Sequence, residues 1–360
     1  MVYVQEIQYN VSTFANTTVA HSTTTVKPAP PDKILNDDMA YIFFVVVKCA
    51  MYEVCSVFGI VTNVLCLIVY RKLGCEETVN VTLIGLTISD LASLIVLFWM
   101  GICFNPLFTY SNVHFDTQSV VYMSGGWVKL YLTRVSSCIT AFVTMERCLC
   151  IVIPLKIKQV MTPKRAVIFI ILSFFFMGMT LPPVYYTTRL EWLWYPARNK
   201  TLLGLAFTPE REEIYNSVIA INLVLTFIAF AFIIGGTLML VFNLEKKTEW
   251  RRKSVSAQKH DTMSMKDKKI SKMIISIAVF FVTSFFPGTV LFVVMMIIPE
   301  FNRGKLLNNL FTTTFAFSHI LEGANAGVNI FIYFKMSTKF RQVFCQTFLF
   351  WKANTEKDGK

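Results

Sequence analysis

Charge is scarce in this chain. Asp, Glu, Lys and Arg make up only 16% of its 360 residues, against about 25% in soluble domains, which excludes a fold that depends on a charged surface. Histidine is scarcer still: four residues, at 21, 114, 260 and 319, too scattered to build a metal centre. No Cys-x-x-Cys pair of the zinc type occurs either. With no clustered His or acidic motif, nothing assembles an activated nucleophile and its base, so the chain does not read as an enzyme. Internal repeats and paired Gly/Pro-broken helices are also missing, which argues against a transporter or channel, the rival class. Finally, the segment 187–213 holds no cysteine.

What the chain has instead is hydrocarbon. Hydrophobic residues make up 54%, and Phe alone occurs 33 times. A bilayer span needs about 20 mostly apolar residues. Such runs recur at 41–70, 79–103, 121–152, 165–188, 214–244, 270–299 and 306–334. Ala166–Thr188, Ile214–Leu244 and Met273–Pro299 carry no charge at all. The expected fold is an all-α membrane protein: a seven-transmembrane helix bundle over 41–334. A tail rich in Ser, Thr and Pro precedes it over 1–40, expected to be disordered and to lack a cleavable signal. A short amphipathic eighth helix and tail follow it over 335–360.

Basic residues set the expected orientation. Connections 71–78, 153–165, 245–272 and 335–360 hold 22 Lys and Arg, and the other side holds 8. The positive side stays in the cytosol, which puts the N-terminus outside a multi-pass plasma-membrane protein. The net charge of +12 then reflects a basic face beside anionic lipid, with no call for nucleic acid. Asn10, Asn16 and Asn199 head N-glycosylation tripeptides, all on the expected outside.

Several motifs fall in order along these runs. The first has Gly59-x-x-x-Asn63 and the second Leu86-x-x-x-Asp90. The third ends in Glu146-Arg147-Cys148. The sixth has Phe281, Phe285 and Pro287. The seventh ends in "NIFIY", Asn329 to Tyr333, and Phe340 follows. Together they resemble the rhodopsin-like G-protein-coupled receptors over about 41–350, and "ERCLCIVIPLK" resembles molluscan chemosensory-type or peptide-type members. The resemblance implies a receptor that turns binding of an extracellular ligand, a peptide or a small acidic chemosensory molecule, into activation of a heterotrimeric G protein. Arrestin and a receptor kinase are the further expected partners.

The departures from that pattern are physical. Tyr122 stands about where the family has the cysteine of its outer disulfide, Ile330 replaces a proline, and Phe174-Phe175-Phe176 stands where a Trp is usual. The outer loops must then be ordered by other contacts or be looser.

Lys129 and Arg134 lie too deep in the third run to be loop charges, so each needs a partner in the bundle. Lys129 has two readings: an ion pair with Glu322 or Glu53, or an anchor for an acidic ligand. A cation there excludes an amine ligand, and the absence of Lys between Leu306 and Phe334 excludes a retinal Schiff base. The expected ligand residues are Lys129, Thr133, Phe285, His319 and Glu322. The resemblance further implies a sodium site at Asp90, Ser136, Asn325 and Asn329, with a hydrogen-bonded packing cluster as the alternative and no other cofactor expected. It also implies a switch in which Arg147 is shared between Glu146 and Asp267, with Tyr333 nearby. Cys345 on the amphipathic tail is a palmitoylation candidate, and Arg251-Arg252-Lys253-Ser254 reads as a basophilic kinase site.

Overall fold

The computed structural model describes residues 37–153, 157, 159–253, 265–302 and 305–348. Among the described residues, seven long helices form the body. Helix α1 runs through Asp37–Phe43, a π-helical stretch Phe44–Met51, and Tyr52–Leu73; α2 is Thr78–Phe104. Helix α3 joins Thr117–Val121, a π-helical turn Tyr122–Gly126 and Trp127–Val152. Helix α4 is Pro163–Gly178, prolonged by Leu181–Tyr186. Strands β1 (Thr188–Tyr195) and β2 (Lys200–Phe207) follow, then α5 (Arg211–Lys253), α6 (Met265–Ile297), α7 (Asn308–Met336) and α8 (Thr338–Phe348).

Among the described residues, six helices are long and apolar enough to cross a membrane: α1 to α6. At 29 residues α7 has the length but carries Ser318, His319, Glu322, Asn325 and Asn329. Ser318, Asn325 and Asn329 are buried against its neighbours, so its polarity serves the interior of the bundle. The opposite case is α4, where Ile168, Ile171, Leu172, Phe175 and Phe176 are all exposed, as befits a helix bathed in hydrocarbon. Of its three consecutive phenylalanines only Phe174 turns inward, edge-on to Tyr131.

Small residues let the helices approach closely, as membrane helices require. A Cβ on Gly59 would stand 2.7 Å from both Leu94 methyls, so α1 and α2 touch there. Asn63, one turn on, donates to the carbonyls of Gly59 (2.8 Å) and Ala326 (3.0 Å), tying α1 to α7. At the end away from the hairpin, Tyr70, Leu83, Ile139, Ile274, Tyr333 and Phe340 form one buried cluster. Phe340 seats α8 in it, and Lys339 pairs with Glu77 at 3.2 Å.

The segment 187–213 holds an antiparallel hairpin, registered from Thr188 opposite Phe207 to Tyr195 opposite Lys200. None of the nine cysteines forms a disulfide, so the hairpin is tied down otherwise. Asp116 N–H donates to the Leu203 carbonyl and Leu203 N–H to the His114 carbonyl, both at 2.9 Å. Arg198 reaches Asp116 at 3.9 Å and donates to the Thr109 carbonyl at 3.2 Å. The Arg211 guanidinium lies 3.7 Å from the Phe207 ring centre and donates to the Tyr122 hydroxyl at 3.3 Å. Tyr122 itself meets Phe207 edge-on at 5.9 Å. An arginine between two rings thus joins the head of α3 to the hairpin.

Candidate functional site

Below the hairpin, α3, α5, α6 and α7 enclose a cavity of about 170 Å³. Lys129 enters it from α3 and Glu322 from α7, and they pair at 3.3 Å. Lys129 also donates to Ser93 of α2 at 3.1 Å. Thr133 donates to Glu322 Oε2 at 3.4 Å and Ser318 to its Oε1 at 3.5 Å. Gly288 makes room for this cluster: a Cβ there would stand 2.4 Å from Ser318 Oγ. His319 lines the same wall, with Nδ1 3.2 Å from the Tyr52 hydroxyl. Phe285 lines the cavity from α6, stacked on Phe281 at 4.1 Å. The other deep cation, Arg134, lines the cavity too, with its Nε 3.5 Å from Asn222 Oδ1 on α5 and its guanidinium 5.9 Å from the Phe292 ring centre.

One layer further from the hairpin lies a second polar cluster. Ser136 donates to Asp90 Oδ1 at 2.9 Å, Asn329 donates to Asp90 Oδ2 at 3.0 Å, and Ser89 stands 2.8 Å from Ser136. Asp90 is buried. Asn325 is buried beside them, and its Oδ1 accepts no hydrogen bond among the described residues.

At the far end of α3, Arg147 pairs with Glu146, which is 1% exposed. Glu146 Oε2 and Arg147 Nε are buried without a hydrogen-bond partner among the described residues. Asp267 falls within α6, but its side chain lies outside the described residues. Tyr333 is buried between Tyr70 (5.4 Å, edge-on) and Phe340 (5.6 Å).

The structure therefore brings Lys129, Thr133, Phe285, His319 and Glu322 to one cavity, and Asp90, Ser136 and Asn329 into direct contact. Asn199 sits at the exposed hairpin tip with a left-handed backbone (φ 47°, ψ 43°). Asn10 and Asn16 lie outside the described residues. Cys345 is half-buried on α8. Sequence reasoning missed Tyr52, Ser93 and Asn222 as partners. Ser93 had a signal, standing three residues after Asp90 on the same helix face; Tyr52 had none.

These layers share one helix with an Arg at its base, and the match in sequence follows the same span. Residues 50–351 match the family described as serpentine type 7TM GPCR chemoreceptor Srw. The chain belongs to this family. It is a multi-pass membrane receptor of the G-protein-coupled kind, and its family acts by binding extracellular ligands and coupling to G proteins. No curated protein matches the receptor.

Proposed function

We propose that this receptor works in the rhodopsin-like manner, from the plasma membrane with its N-terminus outside. A chemosensory ligand enters the cavity from the hairpin side, bears on Lys129, Thr133, Phe285, His319 and Glu322, and shifts α3 against α6 and α7. The shift releases Arg147 from Glu146 and from Asp267, and Arg147 then engages a heterotrimeric G protein. Tyr333 packs in the layer that must rearrange. Arrestin and a receptor kinase would use the same basic face, where Arg251-Arg252-Lys253-Ser254 lies. Glycans on Asn10, Asn16 and Asn199, and an acyl chain on Cys345 lying against membrane lipid, complete the assignment.

The observation that supports this reading most is the pairing at both ends of α3. Lys129 is bound to α7 through Glu322, and eighteen residues on, about 27 Å along the helix, Arg147 is held by Glu146. Asp90, tied to α3 by Ser136 and to α7 by Asn329, lies between them. A ligand that moves α3 against α7 at one end therefore acts through polar contacts that reach toward the other.

Sodium fits the middle layer. One carboxylate, one hydroxyl and two amides suit a hard cation, and the undonated Asn325 Oδ1 is an oxygen free to serve as a ligand. Asp90, Ser136, Asn325 and Asn329 would hold the ion, whose charge would balance Asp90 and favour the resting arrangement.

Mutation of the switch tests the reading. Arg147→Ala is expected to abolish G-protein activation while leaving ligand binding intact, and Asp267→Ala to raise ligand-free signalling several-fold at matched surface expression, since about 1.4 kcal/mol shifts a two-state balance tenfold. Intact coupling in Arg147→Ala would remove the proposed route.

A further inference from the structure

The charges around the cavity do not cancel. Three ionised side chains line it: Lys129, Arg134 and Glu322. Glu322 is already engaged, with Oε2 against Lys129 and Thr133 and Oε1 against Ser318. Arg134 forms no ion pair among the described residues, although it is only 6% exposed. Its one hydrogen bond there runs from Nε to the neutral amide of Asn222. Its Nη1 and Nη2 donate to nothing among the described residues. A guanidinium stays protonated in a protein, and a buried charge without a counter-charge is strongly disfavoured. Among the residues that line the cavity, cations therefore outnumber carboxylates by one, and the guanidinium of Arg134 is the group left unpaired.

The remaining walls limit what can pair with it. Phe285, Phe292 and Phe315 face the same space, so the anion must carry an apolar body. At about 170 Å³ the space is close to the roughly 150 Å³ cavity that takes up one benzene ring. That size suits a single ring or a short alkyl chain.

We propose that Arg134 anchors the carboxylate of a small organic acid whose ring or alkyl body packs among Phe285, Phe292 and Phe315. The fork of the guanidinium matches the two carboxylate oxygens, with Nε turned away to Asn222. Lys129 already pairs with Glu322 and donates to Ser93, which leaves Arg134 as the lining cation without a counter-charge among the described residues. This rests on the reading of the cavity as the ligand site, and it names the ligand class that site takes.

Binding to the purified full-length receptor, read as thermal stabilisation in the absence of any G protein, tests it. The probes are benzoate, phenylacetate and hexanoate, each beside its neutral amide. The acids are expected to raise the melting midpoint of the wild type more than the amides do. Arg134→Gln should weaken acid binding about 10–100-fold, the worth of a charged hydrogen bond, and leave amide binding unchanged. Lys200→Gln, which removes a cation at the hairpin surface outside the cavity, should keep acid binding within a few-fold. Should Arg134→Gln fail to accumulate, Arg134→Lys keeps the charge and loses the fork, and an intermediate loss is expected.

Equal acid binding in wild type and Arg134→Gln, amides binding as tightly as acids, or no stabilisation by any acid at millimolar concentration would each overturn the assignment. So would a peptide that binds through its C-terminal carboxylate while the small acids do not. Acids that bind without Arg147-dependent signalling would count against the proposed coupling alone. Signalling driven by neutral ligands would count against the acid assignment alone.

Discussion

Lys129 and Arg134 lie five residues apart, and their sequence context does not distinguish them. Each is a lone cation in an apolar run. What separates them is which carboxylate each can reach, and that is decided by α7, nearly two hundred residues away. The same holds for Asp90. Its place in the second helix is legible from Leu86-x-x-x-Asp90, yet its two oxygens are claimed by Ser136 of α3 and Asn329 of α7. Replacing Asp90 by Asn keeps the shape and removes the charge that would attract a cation. Sodium should then lose most of its effect on agonist affinity, measured as the shift between sodium and a large organic cation at equal ionic strength. An unchanged shift would leave the cluster as hydrogen-bonded packing.

Among the elements, the helices were largely legible and the hairpin was not. Apolar runs mark seven helices within a few residues at most ends. The main exception is α5, which continues to Lys253, beyond the apolar run that stops near 244. The added stretch, "EKKTEWRRK", is rich in good helix formers, so leaving the hydrocarbon does not end the helix. The hairpin depends on partners remote in sequence. The alternation in "TRLEWLWY" is short, its register is set by pairing with β2, and β2 is docked in turn by the Phe115–Leu203 bridge. The π-helical stretches likewise had no sequence signal. Arg211 carries the tie from hairpin to α3, and an arginine held between rings contributes about 1–2 kcal/mol. Arg211→Ala should therefore lower the melting midpoint of the solubilised receptor by several degrees, whereas Lys200→Ala, whose exposed side chain donates to Asn112, should leave it in place.

At the scale of the whole molecule, composition nearly settles that the chain lives in a membrane, and the uncharged runs Ala166–Thr188, Ile214–Leu244 and Met273–Pro299 complete the argument. The stacking of three polar layers along α3 was legible in part. Their residues recur at helical spacing, but which layer holds compensated charge and which holds a surplus depends on how seven helices close around one another. The absence of a covalent tie across the outer face has a further consequence for biogenesis. Arg211 against its rings, the Asp116–Arg198 pair and the Phe115–Leu203 bridge all form without an oxidant, so the outer face is expected to reach its fold under reducing conditions. Translation into lipid nanodiscs under dithiothreitol should yield receptor with the same melting midpoint and the same ligand affinity as material made in an oxidising lumen, and a loss of either under reduction would mean that a thiol pair closes during folding after all.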